Sequence, residues 1–145
     1  MSALTSDRST PERDGRFVSQ PVAANVVIHA GGLVALGATG FAHAGVFAAT
    51  DSVYGRAEQA VDNTGGADGA ISVTVGRHQA YGLDISTADP VTQADVGKIV
   101  FAQDDITICR TDGSNSAATP PVAASRPHAG KLVAVDASNA WVEFI

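Results

Sequence analysis

The tightest constraint on this chain is its rhythm. Short apolar runs rich in Val and Ile stop at Gly, Pro, Asn or Asp about every ten residues. Ile71, Val73 and Val75 alternate with Ser72, Thr74 and Gly76. That period of two suits a half-buried strand, where successive side chains take opposite faces. Val26 to Ile28 and Leu33 to Leu36 are further runs, separated by Gly31-Gly32 and closed by a turn over residues 37–40. Val53 to Val61 reads as a strand with polar interruptions, and the strand after Ile71 extends toward Tyr81. Between them, residues 62–69 (DNTGGADG) carry dense turn chemistry, so the two strands form a wide hairpin.

The second half continues the pattern. Thr92 caps a single helical turn, with Asp95 three residues on and Gly97 ending it. Lys98 to Phe101 and Ile106 to Arg110 flank Gln103, Asp104 and Asp105 as a hairpin. Leu132 to Val135 and Trp141 to Ile145 flank a turn at Asp136 to Asn139. Phe41 to Phe47 reads equally as strand or loop. Small side chains, 15 Gly and few helix-forming runs make this an all-β chain. The expected fold is a small β-sandwich or barrel-like domain with an extended N-terminal arm and at most one short helical turn.

Two segments stand outside the strands. Residues 1–24 are rich in Ser, Thr, Asp, Arg and Pro, and read as an extended arm before a body of residues 25–145. Residues 112–129, with Pro120, Pro121 and Pro127, read as a long exposed loop. Such a loop is either functional or disordered.

The net charge is −6. The arm balances Asp7, Glu12 and Asp14 against Arg8, Arg13 and Arg16, so the whole excess lies on the body. An acidic body disfavours nucleic-acid backbones and anionic membrane surfaces, both of which attract Lys/Arg patches. No apolar run approaches the ~20 residues a membrane helix needs, and the polar start carries no signal-peptide pattern.

No catalytic or cofactor motif emerges, and a non-enzymatic chain without cofactor or metal is expected. His29, His43, His78 and His128 are too scattered for zinc spacing, although the fold could bring His43 and His78 together. Cys109 is the lone cysteine and lies in an Ile-rich strand, so it reads as a buried inert thiol rather than a nucleophile. Residues 62–69 lack the ligand alternation and closing Glu of a calcium loop. Asp104 and Asp105 are adjacent in a turn and face different ways, which makes a poor carboxylate pair. Gly97-Lys98 lacks the upstream Gly and following Ser/Thr of a phosphate loop.

Residues 25–145 resemble the small head decoration, or cement, proteins of tailed phages. The matching stretches are GLVAL at 32–36, AVDN at 60–63 leading to GADG at 66–69, and SVTV at 72–75. They continue with PVTQADVGK at 90–98, VFAQDD at 100–105, GKLVAVD at 130–136 and WVE at 141–143. The arm and the 112–129 loop are longer than a minimal member needs. The resemblance implies a protein made in the host cytoplasm that coats the outer surface of the virion. Its partners would be the major capsid protein and two further copies of itself in a homotrimer. Arg8, Arg13, Arg16 and Phe17 are the expected contacts to capsid or neighbour, because Arg and aromatic residues anchor interfaces. The alternative is a binding module on the virion surface, either a head fibre or a carbohydrate- or receptor-binding domain.

Overall fold

The computed structural model describes residues 5–145. Within them the chain is all-β, with one short 3-10 turn. Twelve strands follow in order: β1 (Phe17–Pro21), β2 (Val27–Ile28), β3 (Leu33–Leu36), β4 (Ala42–His43), β5 (Ser52–Ala57) and β6 (Val61–Asp62). Then come β7 (Ser72–Gly76), β8 (Ala80–Ile85), β9 (Ile99–Ala102), β10 (Thr107–Cys109), β11 (His128–Val135) and β12 (Ala140–Glu143).

The strands build two joined units. Strands β10, β8, β12, β11 and β9 close into a barrel, in which only the β8–β10 pairing is parallel. Strands β1, β7, β5, β3 and β4 form an antiparallel sheet, flanked by the β2–β6 ribbon. Just past β1, Val22 bridges Ala42 of β4, so the sheet curls back almost to meet its own far edge.

Two hydrophobic cores follow. Tyr81, Leu83, Val100, Ala102, Ile108, Leu132, Ala140, Val142 and Phe144 fill the barrel. Val22, Ile28, Val34, Ala42, Ala57, Val73 and Val75 fill the curled sheet. Strand β3 serves both. Its alternation sends Leu33 and Ala35 to the barrel core and Val34 to the other. This is why its four residues are nearly all buried, where a one-sided strand would alternate.

Several boundaries differ from the sequence reading. The last part of the expected arm is not free. Phe17 to Pro21 pair with β7, and Val22 is fully buried. The cause is the unsatisfied outer edge of β7, which a short alternating segment covers. The strand after Ile71 does not run on to Tyr81. It breaks at Arg77 and His78, where His78 has φ 58°, and β7 and β8 join different units. Val53 to Val61 likewise divides into β5 and β6. The 112–129 loop ends at Pro127, and β11 begins at His128 as the longest strand. The β5–β7 hairpin, the β9–β10 hairpin, the β11–β12 hairpin and the turn at Gln93–Asp95 stand as read.

Candidate functional site: the arm, its anchor and the surface cavities

The four arm residues fall into two pairs. Arg8 and Arg13 lie in a fully exposed segment before β1 and make no ion pair among the described residues. Arg16 and Phe17 are anchored. The Arg16 carbonyl accepts from the Arg77 N–H at 2.7 Å, and its own N–H donates to Asp14 at 2.9 Å. The Arg16 guanidinium sits 5.0 Å from the Phe17 ring centroid and faces the Gln79 side-chain amide. Phe17 starts β1 and remains 45% exposed. The arm thus leaves the body at a fixed point, with two bare arginines ahead of a half-exposed aromatic.

The turns named by the resemblance are structural keystones. Asn63 is buried, and its amide donates to the carbonyls of Ala23 at 2.9 Å, Ala67 at 3.0 Å and Val22 at 3.3 Å. One side chain therefore ties the 62–69 loop to the chain leaving β1. Gly66 packs directly on it, where a Cβ would collide with Asn63 Oδ1. Asp68 accepts from the Ala24 N–H at 2.7 Å. Asp62 accepts from the Thr64 N–H at 2.8 Å, and the Thr64 hydroxyl and N–H hold its carboxyl below the ordinary carboxylate range. The carboxylates of this loop work as turn anchors.

The second keystone is Asp95. Its carboxylate accepts from the Thr92 N–H at 2.8 Å and the Thr92 hydroxyl at 3.1 Å. The Thr92 N–H is the largest cause of its lowered pKa, ahead of the opposing effect of burial. Gly97 follows with φ 89°, a conformation that favours glycine, and turns the chain into β9. Asp104 accepts from the N–H groups of Ile106 and Thr107, so it shapes the β9–β10 turn.

Asp89 pins the long loop. Burial alone would raise its pKa. The Thr111 hydroxyl and N–H, with the Arg126 guanidinium at 2.7 Å, outweigh that effect and lower it. The loop is also stitched by an Asn115–Val122 bridge and by Ser125 and Arg126 N–H groups donating to the Asp112 carbonyl.

The histidines do not gather. His43 pairs with Asp51 at 3.1 Å and meets the Phe47 ring edge-on, whereas His78 lies beside Gly15. His128 packs edge-on against Phe101. Cys109 is buried, and burial pushes its thiol pKa up. Among the described residues no three His, Cys, Asp or Glu side chains are placed to hold a metal ion, and no helix is long and apolar enough to cross a membrane.

Cavities also open on the surface of the described residues. One of about 450 Å³ is lined by Asp51, Ser52, Ile99 and His128 among others. The second, of about 500 Å³, is lined by Arg56, Gln79, Tyr81, Asn139 and Trp141 among others. Sequence reading passed over the second. Trp141 pairs with Gly82 across β12 and β8, and that register is invisible until the barrel closes. No family model, curated protein or solved structure matches this chain.

Proposed function

We propose that the protein is a non-enzymatic decoration, or cement, protein of a tailed-phage head, which binds the outer capsid surface as a homotrimer and holds the assembled lattice against internal DNA pressure. The observation that carries this reading is the resemblance over residues 25–145, because its motifs coincide with the residues on which the fold depends. Asn63 within AVDN, Asp95 and Gly97 within ADVGK, and Asp136 ahead of the closing WVE each hold a turn. The layout is compatible with the role. A rigid double-cored body presents a short arm carrying Arg8 and Arg13, anchored at Arg16 and Phe17. A ligand that binds only the assembled lattice stabilises it by mass action, and repetition over many sites makes modest contacts sufficient.

The test is the binding of the full chain to undecorated heads, compared with a chain lacking residues 2–13. That truncation removes Arg8 and Arg13 and spares β1. Loss of binding is expected, and unchanged binding would exclude the arm as the grip. Light scattering of the free protein should give three times the chain mass. A monomer at every concentration would count against a preformed trimer.

A further inference from the structure

We propose that the cavity over the paired strands β8 and β12 binds a neutral saccharide, with Trp141 as its stacking platform. The indole is held in place from two sides. Its Nε1–H donates to Asp136 Oδ2 at 2.9 Å. Its ring lies over the cross-strand Gly82, where an added Cβ would stand 3.3 Å from the ring. A side chain at 82 would press on the indole, so glycine there helps it lie down on the strand. Trp141 is nevertheless 38% exposed. A fixed, half-open aromatic face costs little entropy to engage and suits the C–H face of a sugar ring.

The walls supply hydrogen-bonding groups: the side-chain amides of Gln79 and Asn139 and the Arg56 guanidinium. A wholly apolar ligand would leave these groups unsatisfied, at a cost to affinity. An anion is disfavoured too. Among the described residues Arg56 is the only cation lining the cavity, and Glu58 neutralises it at 2.8 Å. The volume of about 500 Å³ lies within the range of small-molecule sites. What remains is a neutral, polyhydroxylated ring.

Trp141 is the sole tryptophan, so its emission reports on this site alone. The full chain is titrated with the methyl glycosides of glucose, galactose, mannose and N-acetylglucosamine. Trp141 emission and amide NMR spectra are followed together. A saturable emission change is expected with at least one glycoside, with amide shifts at Gly82 and Asn139. Asn139→Ala and Gln79→Ala should each weaken binding at least about tenfold. Both leave the indole in place. Trp141→Phe should retain weaker binding, and Trp141→Ala should abolish it. Three results would overturn the proposal: no saturable response to any glycoside, binding that Asn139→Ala and Gln79→Ala leave intact, or a preference for inorganic sulfate over all four sugars. The proposal stands or falls separately from the capsid reading, because free glycosides probe it without any head.

Discussion

At the residue scale, Asn63 does more than any other polar side chain to hold the curled sheet together. Its three carbonyl partners come from its own loop, at Ala67, and from the distant chain leaving β1, at Val22 and Ala23. Replacing it with Ala removes these bonds and leaves the Ala23 carbonyl without its donor, while the Gly69 and Ala70 N–H groups still reach the Val22 and Ala67 carbonyls. Net hydrogen bonds are worth about 1 kcal/mol each and orphaned groups cost more, so Asn63→Ala should lose about 2–4 kcal/mol. Urea denaturation checks this, and the midpoint should fall with an unchanged slope. Gly66→Ala should act on the same group, since its Cβ would displace the Asn63 amide. Cys109 gives a second residue-scale expectation. It is fully buried, and burial raises its thiol pKa. Thiolate is the reactive form, so a thiol reagent at neutral pH should leave the native protein untouched and label it fully in denaturant. Rapid native labelling would contradict the packing of β10.

At the scale of elements, the chain's legibility varied with how local each signal was. The β9–β10 and β11–β12 hairpins were readable because strand, turn and strand lie within a few residues. Strand β1 was hidden, since Phe17 to Pro21 acquire strand character only by pairing with β7, more than fifty residues away. The start of β11 was masked by Pro127, which belongs to the loop in sequence and to the interior in space. The β7–β8 break at His78 carries only a weak sequence mark: His is enriched at positive φ, but most His residues do not adopt it. The Trp141 cavity depends on the β8–β12 register and was illegible for the same long-range reason. Strand β1 has a testable consequence. Removing residues 2–13 should leave stability unchanged, whereas removing 2–21 takes away the whole β1–β7 ladder. The longer truncation uncovers the edge of β7 beside Val73 and Val75, both fully buried in the native chain. It should cost about 2–5 kcal/mol. Equal midpoints for the two truncations would mean that β1 contributes nothing to the body.

At the scale of the whole molecule, an acidic chain has used its aspartates as fasteners. Asp62, Asp89, Asp95, Asp112 and Asp136 all have lowered pKa values in the folded state. For Asp136 the largest cause is the Trp141 indole N–H, followed by the Ser138 and Asn139 N–H groups. For Asp112 it is the Ser114 hydroxyl, followed by the Ser114 N–H. These groups fasten four turns or loops, with Asp89 and Asp112 both holding the long one, so their titration bears on both units at once. A carboxyl with a lowered folded pKa binds fewer protons in the native state than in the unfolded chain. Its contribution is present in full above the unfolded value of about 4, and is lost as pH falls through the folded values. Stability should therefore decline as pH falls below the unfolded value of about 4, with net proton uptake on unfolding there. Thermal unfolding followed at a series of pH values provides the measurement. The Asp95→Asn variant should start from a lower midpoint at neutral pH and show a shallower acid slope, since one proton-linked fastener is gone. A wild-type midpoint that stayed level throughout this acid range would mean the aspartate bonds persist equally in the unfolded chain. The turns would then owe their shape to backbone conformation rather than to their carboxylates.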